Sequence, residues 1–117
     1  MSATLFILND PPYGTERTYN GLRLAISLAK QEGEKVRIFL IGDAVSSAKC
    51  GLMVPEGHYN VDVMLRTIIK HNGEIGVCGS CMDARGITEA EIEEGCQRSS
   101  MEELAAWTLA ADRSLVF

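Results

Sequence analysis

The residues best equipped for chemistry are Cys78 and Cys81, in the segment Glu74-Ile-Gly-Val-Cys-Gly-Ser-Cys-Met-Asp-Ala-Arg-Gly-Ile87. A short, apolar stretch runs directly into the Cys78-x-x-Cys81 pair, and Asp83 and Arg85 follow close behind. In a parallel α/β protein a strand-to-helix junction lies at the carboxyl edge of the sheet, where ligands and reactive groups gather. A cysteine in the first turn of a helix meets backbone N–H groups and the positive end of the helix dipole, and both favour its thiolate. This pattern predicts nucleophilic sulfur chemistry at Cys78.

Other uses of the cysteines compete with that one. A structural zinc site needs four ligands, and Cys50, Cys96, His58 and His71 form no second closely spaced pair. No metal site is expected. A dithiol redox pair is nearer in chemistry, yet the motif does not follow the first strand and no aromatic residue directly precedes Cys78. Plain packing is the third use, since free cysteine is often buried. For Cys81, one turn into the helix, burial and function both stay open. Cys50 and Cys96 have no organised polar neighbours in the sequence and are expected to pack. Arg85 has two uses: offsetting negative charge on a thiolate or persulfide, or pairing with Asp83 to shape the turn. The Asp83 pair is the expected one.

The elements that must position these groups follow from periodicity. Leu5–Leu8 fits a buried first strand, closed by the turn-rich loop Asn9-Asp-Pro-Pro-Tyr-Gly14. Glu16 to about Gln31 carries Tyr19, Leu22, Ile26 and Ala29 at helical spacing, and Gly33 stops it. Val36–Ile41 reads as the second strand, and Asp43 caps a short helix through about Lys49. Cys50–Tyr59 is a Gly- and Pro-containing loop placed to overhang Cys78. Asn60 then caps a second long helix, with Val61, Met64, Leu65 and Ile68 facing one way. Glu74–Val77 is the third strand. Thr88-x-x-Glu91 and Ser100-x-x-Glu103 are capping-box patterns. A brief strand is expected near Cys96–Arg98, a helix from Ser100 to about Ala111 with Met101, Leu104, Ala105 and Thr108 on one face, and a last strand at Ser114–Phe117.

Apolar strands separated by helices imply a parallel sheet covered on both faces. The fold class expected is α/β: a three-layer α/β/α arrangement around a mostly parallel sheet of about five strands, in a single domain spanning 1–117. Right-handed crossovers bring the loops Asn9–Thr15, Gly42–Asp43 and Cys78–Gly86 to one edge. Pro12, Tyr13, Gly14, Asp43, Tyr59, Asp83 and Arg85 are therefore the candidate supporting residues around Cys78 and Cys81.

Composition narrows the partners. A net charge of -5 with no basic run argues against nucleic acid, because neutralising phosphates takes clustered Lys and Arg. No apolar run approaches the roughly 20 residues that cross a bilayer. The N-terminus lacks a basic region and a long enough apolar run for a signal peptide, so no membrane partner and a cytoplasmic location are expected. In that compartment the cysteines stay mostly reduced. The first loop has one glycine and neither GxGxxG nor GK[ST], so a nucleotide cofactor is not expected.

With these residues in view, the chain resembles the DsrE/DsrF-like family nearly end to end. The resemblance rests on Pro12-Tyr13-Gly14, Asn20-x-Leu22-Arg23-Leu24-Ala25, Asp43-Ala44-Val45, Gly57-x-Tyr59-Asn60, Cys78-x-x-Cys81-x-Asp83-x-Arg85-Gly86 and Glu103-Leu-Ala-x-Trp107-Thr108-Leu109. It departs at Asp10-Pro11 and at the slim Gly79-Ser80 spacer, and Cys50 and Cys96 lie outside the pattern. The resemblance implies a sulfur-relay protein in which Cys78 accepts sulfane sulfur as a persulfide. Donor and acceptor proteins would exchange that sulfur with a homo-oligomer, in some members a hexamer. Such a protein is a sulfurtransferase-like carrier without a dissociable cofactor. The alternatives are a non-catalytic oligomeric subunit that reports redox state, and a dithiol oxidoreductase.

Overall fold

The computed structural model describes residues 2–54 and 59–117. Five strands form one sheet: β1 (Ser2–Leu8), β2 (Glu34–Leu40), β3 (Glu74–Cys78), β4 (Cys96–Ser99) and β5 (Arg113–Val116). Their order is β4-β3-β2-β1-β5, and every neighbouring pair is parallel. Four α-helices connect them: α1 (Arg17–Ala29), α2 (Val61–Lys70), α3 (Gly79–Ala84) and α4 (Met101–Ala110). Two 3-10 turns, Gly42–Ala48 and Glu89–Glu91, complete the described elements. This is the α/β architecture that the apolar strands imply.

Right-handed crossovers explain the layers. The chain steps β1, β2, β3, β4 in one direction, then doubles back past β1 to place β5. Reversing direction moves the crossover helix to the other face of the sheet. Accordingly α1 and α2 pack together on one face, over Thr4, Phe6 and Leu8 of β1 and Val36, Ile38 and Leu40 of β2. Helix α4 covers the opposite face, where the Trp107 ring meets the edge of Phe39 at a centroid distance of 6.2 Å and an interplanar angle of 87°. Gly76 makes that seat possible: a Cβ there would come within 3.2 Å of Phe39, Ser99 and Trp107 at once.

The central strands are fully apolar where both faces are covered, as in Ile38-Phe39-Leu40 and Ile75 to Val77. Edge strands β4 and β5 carry exposed polar residues instead. The third strand runs one residue beyond expectation and includes Cys78 itself.

Helix α4 corrects the expected facing. Leu104 is buried and Trp107 half-buried, while Met101, Ala105 and Thr108 point outward. The broad indole docking on Phe39 sets the rotation of the helix, and Glu102, Glu103 and Thr108 are spread round the axis, so they form no competing polar face. Asp43 also differs: Ile41 is the flanking residue of the 3-10 turn, and no side chain caps it. The second capping box is split. Ser100 Oγ accepts from Glu103 N–H, but the Glu103 carboxylate takes its bond from the Ser99 hydroxyl. At Thr88 and Glu91 the reciprocal box is complete.

Candidate functional site

Strand order decides where the reactive edge lies. Helix α3, leaving β3, packs on the 3-10 turn 42–48 and so belongs to the α1/α2 side. Helix α4, leaving the adjacent strand β4, crosses to the other face. A crevice opens wherever neighbouring strands send their helices to opposite faces. Here it falls between Cys78 and Ser99, which are register partners at the carboxyl ends of β3 and β4. A pocket of about 390 Å³ occupies that crevice, bounded by Cys78, Phe39, Ser80, Arg98 and the first turn of α4.

Cys78 is only 7% exposed, yet its polar company is extensive. Its sulfur is the N-cap of α3, accepting from Cys81 N–H at 3.4 Å, and it lies 3.5 Å from Ser80 Oγ. Burial opposes ionisation. Hydrogen bonds from the Cys81 thiol, the Ser80 hydroxyl and the backbone N–H groups of Cys81 and Ser80 outweigh it, and the Cys78 thiol is held below its ordinary value.

Cys81 behaves in the opposite sense. Its sulfur accepts from Gly42 N–H at 3.2 Å. Burial and the neighbouring Cys78 sulfur still push its thiol up, against Gly42 and the Arg85 charge. The two thiols of the motif are thus shifted in opposite directions, Cys78 down and Cys81 up.

The charged residues pair differently from expectation. Arg85 does not hold Asp83. Its Nη2 donates to Asp43 Oδ1 at 2.7 Å and its Nη1 to the Cys81 carbonyl at 3.0 Å, so it fastens the end of α3 to the turn after β2. Asp83 is taken by Arg98 in a two-point bond, Nη1 to Oδ1 at 2.8 Å and Nη2 to Oδ2 at 2.9 Å. The reason is geometric: Asp83 and Arg85 leave a helix two residues apart and diverge, whereas β4 places Arg98 beside the first turn of α3. Arg98 is the residue that sequence reasoning missed. It stands 20 positions past Cys78, and only the β3–β4 pairing reveals their proximity.

The aromatic residues of the first loop gather elsewhere. Tyr59 stacks on Tyr19 at 4.0 Å and leans on Tyr13 at 5.3 Å, and its hydroxyl donates to the Thr15 carbonyl. Tyr13 Oη accepts from Val61 N–H, satisfying an opening amide of α2 that Asn60 leaves uncapped. Pro12 is buried, and Gly14, at φ +107°, turns the chain toward α1. Among the described residues, none of Pro12, Tyr13, Gly14 or Tyr59 borders the Cys78 pocket. Gly14 and Tyr59 line a separate cleft of about 360 Å³, and Tyr13 packs against Tyr59 there. His58, Gly57 and the centre of the expected overhanging loop lie outside the described residues.

Cys50 is exposed, contrary to the packing expected of it, while Cys96 is buried as expected. Burial, then the charges of Glu93 and Cys50, push Cys96 up to about 12. A thiol whose folded value exceeds its unfolded one favours the fold fully below the unfolded value. That contribution then fades as the pH rises through the folded one. Thermal melts should therefore fall between about pH 9 and 12, and Cys96→Ala should flatten that fall relative to wild type. Equal slopes for the two proteins would contradict the buried-thiol assignment.

A hydrogen-bonded dithiol at the switch point of a parallel sheet defines a cysteine-centred α/β protein. The chain belongs to the DsrE/DsrF-like family, whose model matches residues 2–117. Protein YchN of Escherichia coli K12 is 39% identical over 118 residues, spanning 100% of both chains. The crystal structure of the E. coli protein superposes with a TM-score of 0.94 over the full length of both. An uncharacterized protein of Methanopyrus kandleri is 37% identical over 95% of this chain and 90% of its own. A protein of unknown function from Methanobacterium thermoautotrophicum shares the fold at 13% identity, with a TM-score of 0.69 over 97% of each chain.

Proposed function

We propose that this protein carries sulfane sulfur as a persulfide on Cys78. The observation that carries the reading is the Cys78 sulfur, hydrogen-bonded into its ionisable form at the wall of the switch-point pocket. The Cys78 thiolate attacks the outer sulfur of a donor persulfide. A Cys78 S–S bond forms, the donor S–S bond breaks, and the donor leaves as a thiolate. An acceptor thiolate then takes the outer sulfur by the same displacement, regenerating the Cys78 thiolate. No net oxidation occurs and no cofactor enters.

The raised Cys81 thiol suits a carrier better than a disulfide enzyme. Attack by Cys81 on the inner sulfur would close a Cys78–Cys81 disulfide and expel hydrosulfide, discharging the cargo. Keeping Cys81 protonated slows that loss, because the thiolate is the nucleophile. Donor and acceptor are proteins or small persulfides whose sulfur reaches the pocket.

The test is intact-mass analysis after incubation with a persulfide donor. One reducible sulfur atom should add per chain and pass to an acceptor thiol. Wild-type protein that gains no sulfur would refute the carrier.

A second reading has its own support. Met101, Leu109 and Val116 are 61%, 89% and 67% exposed, on α4 and the edge strand that follows it. Exposed apolar side chains of this kind suit self-association into a homo-oligomer, a hexamer in the fullest form of this proposal, acting as a redox-reporting assembly subunit. Size-exclusion with light scattering, in oxidant and in reductant, tests it. A monomer under both conditions ends it. Among the described residues, no helix is long and apolar enough to cross a membrane.

A further inference from the structure

Arg98 projects from the edge strand β4 and lies against the first residue of α3. That residue is Gly79, and the contact depends on its missing side chain. A Cβ at position 79 would stand 2.8 Å from Arg98 Cζ, 2.8 Å from Nε and 3.0 Å from Nη2. Asp83, one turn further along α3, grips the guanidinium at both terminal nitrogens. Two points of attachment and a glycine floor hold a long, rotamer-rich side chain in one place. Arg98 also borders the pocket that Cys78 lines, whereas Asp83 does not.

We propose that Arg98, laid across Gly79 and clamped by Asp83, gives Cys78 a cationic neighbour at the pocket and, beside the hydrogen bonds from Cys81 and Ser80, lowers the pH at which the sulfur becomes a nucleophile. The proposal rests on the reading that Cys78 is the reacting sulfur, and it assigns to Arg98 the charge balance that the sequence pattern suggested for Arg85. Arg85 is committed to Asp43 and to the Cys81 carbonyl, and its charge acts on Cys81. Arg98 in turn feels the charge on Cys78.

The groups facing Cys78 come from three elements. Helix α3 supplies Ser80, Cys81 and, bonded to the guanidinium, Asp83. Strand β4 supplies Arg98. Helix α4 supplies Glu102, the one anionic side chain that borders the pocket among the described residues. Arg98 is the fixed cation on the same pocket wall as the sulfur. A persulfide anion on Cys78 has the same charge and benefits in the same way.

The experiment is the pH profile of Cys78 alkylation by iodoacetamide, read peptide by peptide so that Cys50 and Cys81 do not contribute. Arg98→Gln should raise the midpoint by roughly half a pH unit to one unit and slow the reaction at pH 7 about three- to tenfold. Arg98→Lys keeps the charge and should recover most of that loss. Gly79→Ala should raise the midpoint as well, because its methyl displaces a flexible side-chain end and leaves the backbone intact. A helical alanine favours the fold over glycine, so Gly79→Ala should melt no lower than wild type. Added salt should shrink the gap between wild type and Arg98→Gln, since the ion pair is partly exposed.

An Arg98→Gln profile superimposed on wild type would overturn the proposal, as would an Arg98→Lys profile as slow as Arg98→Gln. A sulfur-loading failure in wild type is a separate result. It removes the carrier reading alone, because alkylation reports Cys78 whatever its cargo.

Discussion

Cys78→Ser is expected to abolish sulfur uptake while leaving the fold intact. Both halves follow from the same geometry. The Cys78 sulfur accepts the Cys81 N–H as the N-cap of α3, and a serine hydroxyl is among the preferred groups for that duty. The melting temperature should therefore move little. A hydroxyl stays protonated at neutral pH and cannot take sulfur by displacement, so loading should fall at least about 100-fold, to background. Cys81→Ser should act in the other direction. It removes the thiol that would close the disulfide, so the loaded form should persist longer and release less hydrosulfide. Intact mass and sulfide assays on the three proteins decide the point. Sulfur that still loads onto Cys78→Ser would place the acceptor elsewhere.

Phe39→Ala is expected to produce the largest loss of stability linked to the site. Phe39 is 1% exposed at the centre of the sheet, it meets Trp107 edge-on, and it forms one wall of the Cys78 pocket. Truncating a buried phenylalanine typically costs about 3–5 kcal/mol, from lost transfer free energy and the cavity left behind. Against an ordinary domain stability of about 5–15 kcal/mol, that is roughly a fifth of the total or more. Trp107 is the only tryptophan, so its fluorescence reports both denaturant unfolding and the seating of α4. A loss under about 1 kcal/mol would show that α4 is not anchored through this ring pair.

Much of the architecture was legible in the residue pattern. β1, β2 and β3 are runs of apolar residues bounded by turn formers, and α1 and α2 carry apolar residues at helical spacing. The brief strand at Cys96–Arg98 also stands, extended to Ser99. Residues at α4 misled because Met101, Ala105 and Thr108 are as well spaced as Leu104 and Trp107. Periodicity identifies a helix, but a helix apolar on several sides does not say which side it buries.

The pairing of charges was illegible for a different reason. Asp83 and Arg85 are neighbours in sequence, and local spacing favoured their bond. Asp83 instead meets Arg98, 15 positions away, and Arg85 meets Asp43, 42 positions away. Exposed ion pairs are weak, so partners are chosen by whichever backbone delivers a matching group at hydrogen-bond distance.

Local sequence determined that a cysteine would end a buried strand and begin a helix at the carboxyl edge of a parallel sheet. β-branched and apolar residues make the strand, the following residues make the turn, and the thiol that joins them caps it. Tertiary structure alone decided that β4 would lie beside β3 and send its helix to the other face. That choice opens the crevice at Cys78 and delivers Arg98 across Gly79. Strand order depends on long-range packing and crossover handedness, which no stretch of neighbouring residues encodes.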